Sequence, residues 1–332
     1  HIPDREDERT VIGKIPPEQL EDYVFSRTGA PGNQLLMGPA YGEDTAAIDL
    51  GNQILVINSD PIVFAADRIG DLGVNIASND VAASGAQPRW LTVTLFVPNG
   101  SERMLDKITS QIHQVALELN ISVVGGHSEV VSFLDRPFLC LSCLGTTDSY
   151  ISSGGSEIGD VIILTKGAGI EGAGIIATDF KEKLREHLDQ AVISKAEKNL
   201  EQLSVLKEAR ILSEVATAMH DPTEGGVIDG LFEMAAASGN HFEVNQEEIP
   251  VSEETRQVCG IMEVDPLKTF GSGALLATVP EAHSEDALIA LANQEIPARV
   301  IGRVKSSSSS KLTINGITYS KPVRDELYRI WT

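Results

Sequence analysis

Gly42-Glu43-Asp44-Thr45-Ala46-Ala47-Ile48-Asp49 is the stretch on which the fold turns. An acidic pair stands between a glycine and a run of small and apolar residues, so a carboxylate sits at the mouth of a strand. The arrangement returns downstream. Asn58-Ser59-Asp60-Pro61 closes an apolar run, and Asn75-Ile76-Ala77-Ser78-Asn79-Asp80-Val81-Ala82-Ala83-Ser84-Gly85-Ala86 sets an aspartate among small residues. Asp221-Pro222-Thr223-Glu224-Gly225-Gly226 repeats the theme far along the chain. Carboxylates at the ends of apolar runs, with neighbours small enough to admit a large ligand, suit Mg²⁺ held between protein and triphosphate. No GxxxxGK followed by Ser or Thr is present, nor GxSxG, nor HExxH. The expectation is an ATP-using enzyme without a Walker loop; nucleophilic hydrolase and zincin readings have no support.

The chain has 332 residues, enough for two domains. Its 48 acidic against 26 basic residues give a net charge of −22, which argues against nucleic acid or an anionic membrane as the main partner. Three cysteines make no disulfide framework. Cys140 and Cys143 sit in a predicted strand, where an offset of three points them to opposite faces, so both are expected to be buried small hydrophobes rather than a redox or zinc pair. No apolar stretch reaches the roughly 18–20 residues of a membrane helix, and no signal peptide opens the chain, which begins at His1. A cytoplasmic protein is expected.

Three parts are expected: an N-terminal arm and helix over 1–32, a domain over 33–153, and an α/β domain over 154–332. Residues 1–15 read as a mobile arm. A helix starts at Pro16-Pro17-Glu18, since proline is well tolerated in a first turn. Strands are predicted over 33–50, 53–60, 91–97, 121–124 and 138–146, with helices over 67–86 and 101–119. Ser101 is the expected cap of the second helix. Gly154-Gly155-Ser156 reads as the domain junction. Beyond it come a strand over 161–165, a helical region to about 218, helices over 227–237 and 281–293, and strands over 275–279 and 298–304. Ser306–Ser310 reads as a flexible loop.

Three further motifs bear chemistry. Lys166-Gly167-Ala168-Gly169-Ile170-Glu171-Gly172-Ala173-Gly174 follows a strand and opens a helix, as a dinucleotide loop does. The second strand ending in an acid that such a unit needs is missing from the next 45 residues, so NAD binding is rejected. Lys166, Gly167 and Gly169 are expected instead to hold a phosphate or carboxylate at a helix N-terminus, the alternative being a packed turn. Val123-Val124-Gly125-Gly126-His127-Ser128-Glu129-Val130 runs a strand into two glycines. Glu129 could there ligate a metal and His127 serve as ligand or acid/base group, or as a hydrogen-bonded structural histidine. In 221–226, Asp221 or Thr223 could cap the helix that follows, or Gly225-Gly226 could let a phosphate approach.

In order and spacing, these motifs resemble the superfamily that contains aminoimidazole ribonucleotide (AIR) synthetase, thiamine-monophosphate kinase, selenophosphate synthetase and the hydrogenase maturation protein HypE. The resemblance runs from about Gly13 to about Arg303. It rests on Gly42-Glu43-Asp44, Asn58-Ser59-Asp60, Asn79-Asp80 through Pro88, Gly125-Gly126-His127-Ser128-Glu129, and Asp221 through Gly226. It implies a two-domain α/β (α+β) fold of the AIR-synthetase type. The N-terminal sheet domain would form a homodimer and supply most of an ATP site, and the C-terminal α/β domain would close the cleft. It also implies Mg²⁺ ligands at Asp44, Asp60, Asp80 and Asp221, with Glu129 as a further candidate. Asp44, Asn79, Gly125, Gly126 and Thr223 would lie around the nucleotide, and Lys14, His127 and Asp80 would serve the chemistry.

The pattern is most similar to HypE-like proteins, with three departures. HypE carries a C-terminal cysteine whose thiol bears the reacting group, whereas this chain ends Tyr328-Arg329-Ile330-Trp331-Thr332 with no cysteine after Cys259. Glu224 replaces a basic residue, and His127 replaces an aspartate. The expected function is therefore activation of an oxygen of a small second substrate by Mg²⁺-ATP, without the thiol chemistry of the HypE tail. The second substrate would be a small molecule or a group on a partner maturation protein. The alternatives are a nucleotide-binding scaffold subunit without catalysis, or a kinase of the thiamine-monophosphate type.

Overall fold

The computed structural model describes residues 13–62, 67–99, 102–307 and 311–331. Most of the expected N-terminal arm, the Ser101 cap and the end of the serine run lie outside the described residues.

Two seven-stranded sheets organise the molecule. The first holds β1 (Leu35–Met37), β2 (Ala46–Asp49), β3 (Ile54–Ile57), β4 (Asp60–Ile62), β5 (Gln87–Val97), β6 (Ser122–Val130) and β7 (Phe138–Thr147). Their order is β1-β2-β3-β7-β5-β6, with β4 also on β7. Among the described residues of this sheet only β5 and β6 pair in parallel, across a connection that contains the helix Glu102–Glu118, as parallel neighbours require. The second sheet holds β8 (Val161–Thr165), β9 (Ala218–His220), β10 (His241–Val244), β11 (Leu276–Val279), β12 (Ala298–Lys305), β13 (Lys311–Ile314) and β14 (Ile317–Tyr319). Its order is β14-β13-β10-β12-β8-β11-β9.

Helix Ile69–Ala83 is the axis of the first half. The sequence marks a face of Ile69, Leu72, Gly73, Ile76, Ala77 and Val81. In the structure nearly the whole helix is buried, and Ile76 is only half-buried. It packs on β7, on helix Glu102–Glu118 and on helix Leu206–Leu212 of the second half. The small residues serve this enclosure on several sides. That contact fuses the two halves, and one apolar cluster runs from Leu72 and Leu141 through to Leu231 and Leu276.

Cys143 lies in that core, as expected. Cys140 points to the other face of β7 and is only half-buried, with Sγ 3.6 Å from Ser59 Oγ. The expectation of a second buried cysteine is corrected by that face of β7, whose residues from Phe138 to Leu144 alternate half-buried with the buried ones on the core side. β6 is exposed along its whole length. Among the described residues no helix is long and apolar enough to cross a membrane.

A candidate metal centre between the two sheets

Four aspartates approach one another at the junction of the halves. Asp44 lies two residues before β2, Asp60 opens β4, Asp80 lies in the last turn of helix Ile69–Ala83, and Asp221 follows β9. One carboxylate oxygen from each of Asp44, Asp80 and Asp221 lies within 4.8 Å of the others. Asp60 joins through Asn58, whose Nδ2 donates to Asp60 Oδ2 at 2.6 Å and to Asp80 Oδ2 at 2.9 Å. Asn58 is itself pinned to β7: its Oδ1 accepts from the Cys143 N–H at 3.0 Å. The strand chemistry thus sets the spacing of two carboxylates.

The cluster is electrostatically costly as it stands. Burial pushes Asp80 well above the usual carboxylate range, and Asp60, Asp221 and Asp44 push it further. Burial and Asp44 do the same to Asp221, and burial raises Asp60. Asp80 also sits at the negative end of its helix, where an acid is disfavoured. Asp221 is 1 % exposed, and both of its carboxylate oxygens lack a hydrogen-bond donor. Buried polar groups are normally paired, so these oxygens need a cation or protons. An all-oxygen donor set of this kind fits Mg²⁺.

A second layer holds the first. His220 Nδ1 donates to Asp44 Oδ2 at 2.8 Å, and its Nε2 lies 3.1 Å from Glu233 Oε2. Burial alone would lower the His220 pKa, but the two flanking carboxylates raise it well above the ordinary histidine value. Glu233 Oε1 accepts from Lys14 Nζ at 2.8 Å, and Asp229 Oδ2 lies 3.7 Å from the same nitrogen. Burial opposes the charge on Glu233, yet Lys14 and His220 hold its pKa down at about 2. Gly42 allows this assembly. Its φ is +82°, and a Cβ there would lie 2.7 Å from the Glu233 carbonyl oxygen, so the Asp44 segment can press directly on helix Gly226–Ser238.

The structure therefore brings together Asp44, Asp60, Asp80 and Asp221, with Lys14 behind them. Thr223 lies two residues beyond Asp221, and its carbonyl accepts from the N–H groups of Gly226 and Gly271. Other expected residues stand elsewhere. Asn79 is fully buried and locks the halves: its Nδ2 donates to the Leu203 carbonyl at 2.8 Å, and its Oδ1 accepts from Val205 N–H at 2.9 Å. Both ends of its amide are thus engaged by the 203–205 segment.

His127 and Glu129 lie on exposed β6 and bond to each other at 3.1 Å. β5 separates β6 from β7, so about 10 Å of sheet lies between β6 and the strand that pairs with β4. Within one chain, neither residue joins the aspartates, and Glu129 is corrected as a ligand in that setting. Gly126 has φ +146°, and a Cβ there would sit 1.8 Å from Val93 O, so close pairing with β5 requires this glycine. Gly125 faces open space.

The glycine-rich loop is also corrected. Lys166 Nζ is spent on Glu208 at 2.7 Å and on the carbonyls of Gln202 and Ser204 at 3.1 and 2.7 Å. The N–H groups of Lys166, Gly167, Ala168 and Gly172 bond to the carbonyls of Pro297, Thr165, Pro250 and Phe270. Gly169 lies against Pro266, whose oxygen would be 2.8 Å from an added Cβ. This is the packed-turn alternative, and the anion site expected at Lys166, Gly167 and Gly169 is filled by the protein's own backbone.

Sequence reading missed His220, Glu233 and Asn58. A signal existed for one: Asp229 and Glu233 stand four residues apart in a helix otherwise lined with Val227, Ile228, Leu231, Met234 and Ala235. Two acids on one face of a buried helix ask for a partner.

Comparison with known proteins agrees with this architecture. The N-terminal domain of AIR synthase related proteins matches residues 42–147, and the C-terminal domain matches residues 157–315. The hydrogenase expression/formation protein HupE of Azotobacter chroococcum mcd 1 is 30% identical over 298 residues, covering 86% of this chain and 84% of that protein. The carbamoyl dehydratase HypE of Escherichia coli strain K12 is 28% identical over 287 residues, covering 81% and 83%. A hydrogenase maturation protein HypE solved in complex with ATP superposes with a TM-score of 0.69 at 23% identity, over 94% of this chain and 96% of that one. AaThiL solved with AMPPCP and TMP gives 0.70 at 19% identity, over 86% and 91%. The two domain matches, in this order and over the two sheets, together with the HupE relationship, show that the chain belongs to the AIR synthase related family.

Proposed function

We propose that this protein is an Mg²⁺-ATP-dependent enzyme that activates an oxygen of a small second substrate by phosphoryl transfer. The observation that carries the reading is the convergence of Asp44, Asp80 and Asp221, with both Asp221 oxygens buried and unpartnered. Bound there, Mg²⁺ would neutralise triphosphate charge and stabilise what develops in transfer. Asp44, Asp80 and Asp221 would hold it, and Asn58 would keep Asp60 and Asp80 at their spacing. A relative solved with ATP and one solved with AMPPCP support the nucleotide. The names carried by the curated relatives support a substrate that is small or is presented by a maturation protein.

Calorimetric titration with Mg²⁺-ATP should show binding, and a panel of small acids and amides should include one that speeds ADP release. No binding would overturn the reading. Binding without turnover by any member of the panel would favour the scaffold alternative.

A homodimer belongs to the same proposal. β6 is an exposed edge, and Val123, Val124, Val130 and Phe133 leave apolar surface on or beside it. A twin sheet would cover it and bring His127 and Glu129 against a second chain. Sedimentation at micromolar concentration should show a species of twice the 35.6 kDa chain mass; a 35.6 kDa species alone would count against the dimer.

A further inference from the structure

We infer that His220 is a positioning residue for the divalent cation, acting through Asp44. The inference rests on reading the aspartate cluster as a cation site. Among the described residues, the hydrogen bonds received by Asp44 come from His220 Nδ1 at 2.8 Å and Ser153 Oγ at 3.2 Å, and both fall on Oδ2. Oδ1 is thereby the oxygen left to a cation, and the carboxylate plane is fixed from one side.

The imidazole is fixed in turn. Its Nε2 is held by Glu233 Oε2 at 3.1 Å, while Glu233 Oε1 is held by Lys14 Nζ at 2.8 Å. Gly230 closes the ring from the edge: a Cβ there would lie 3.2 Å from His220 Cδ2. Lys14, Glu233, His220 and Asp44 form a chain in which each link uses a different atom, and it ends at Asp44 Oδ2, which leaves the other oxygen of the same carboxylate to the cation. His220 comes from the second sheet and Asp44 from the first, so the ring also ties the ligand geometry to the closed arrangement of the two halves. Partners that orient metal ligands in this way carry roughly 10–100-fold in metal affinity.

The pair His220→Asn and His220→Gln separates the two ends of the ring. Asparagine sets an amide N–H near the place of Nδ1 and keeps the Asp44 bond. Glutamine reaches towards Glu233 and gives it up. The probe is Mn²⁺ alone, titrated into the full chain and followed by electron paramagnetic resonance, with a melting curve for each variant. His220→Gln and His220→Ala are expected to weaken Mn²⁺ binding roughly 10–100-fold, and His220→Asn to recover most of it. Equal affinity in wild type, His220→Gln and His220→Ala overturns the role of His220 and leaves the cation site standing. His220→Asn as weak as His220→Ala also overturns it. A wild type that takes up no Mn²⁺ overturns this inference and the cation reading together. Should the His220 variants lose their cooperative melt, Glu233→Gln loosens the ring from behind without touching Asp44. Unchanged Mn²⁺ affinity there overturns the inference as well.

Discussion

Asp80→Asn is expected to remove Mg²⁺-ATP binding while leaving the protein folded and raising its melting temperature in metal-free buffer. The two effects have opposite signs because they come from one charge. Asp80 lies in the last turn of its helix, against the negative end of the dipole, and faces Asp60, Asp221 and Asp44. Without a cation each of these contacts is repulsive, and an amide of the same shape relieves them. With Mg²⁺ the same carboxylate would serve as a ligand, and a neutral amide oxygen would be a poorer one. The loss should exceed the roughly 10–100-fold that partners behind the ligands carry. Calorimetry with Mg²⁺ and a nonhydrolysable ATP analogue reads the first effect, and a thermal melt in chelator reads the second. A variant that binds the analogue as tightly as wild type removes Asp80 from the site. A variant that melts lower in chelator shows that Asp80 is held by something other than the repulsive cluster.

The four clustered aspartates were legible because each ends a local pattern. Asp44, Asp60 and Asp221 flank strands, and Asp80 sits among small residues of a helix, so their type and setting can be read without the fold. His220 could not be read this way. Its partner Asp44 is 176 positions away, and nothing local distinguishes the histidine from any other at a strand end. The glycine-rich loop failed for the converse reason. Its pattern is the same whether the free N–H groups face a ligand or the protein, and the choice was made by Pro250, Pro266 and Phe270, which come from elsewhere in the chain.

Secondary structure shows a similar division. Helices Ile69–Ala83 and Glu281–Ala292 and strands β8, β11 and β12 follow apolar runs long enough to read. β10 has four residues, and its pairing with β12 and β13 is wholly tertiary. The hairpin β13–β14 did carry a local sign. Asn315-Gly316, both at positive φ, is the sequence that favours the tight turn joining such strands, although no element was read beyond the Ser306–Ser310 loop.

Mg²⁺ is expected to raise the melting temperature of the wild type more at about pH 8 than at about pH 5. The sign follows from the direction of the shifts. Asp60, Asp80 and Asp221 are all raised above the ordinary aspartate value by burial and by one another. A carboxyl raised in the folded state binds its proton more tightly there than in the unfolded chain. Its contribution is fully present below the ordinary value and is lost as pH rises through the raised one. The metal-free protein should therefore lose stability across that window, as the cluster is forced to ionise in a buried setting. Mg²⁺ needs the ionised ligands, so it competes with protons at the lower pH and meets a prepared site at the higher. At ~100 times its dissociation constant a ligand adds about 2.7 kcal/mol. For a chain of 332 residues that corresponds to roughly 4 °C. Thermal melts at both pH values, with and without Mg²⁺, give the comparison directly. A shift that is absent at both, or larger at the lower pH, would mean that the aspartates are neutralised by protein groups alone, with His220 as the first suspect. Asp44 would then be a structural partner of that ring rather than a ligand.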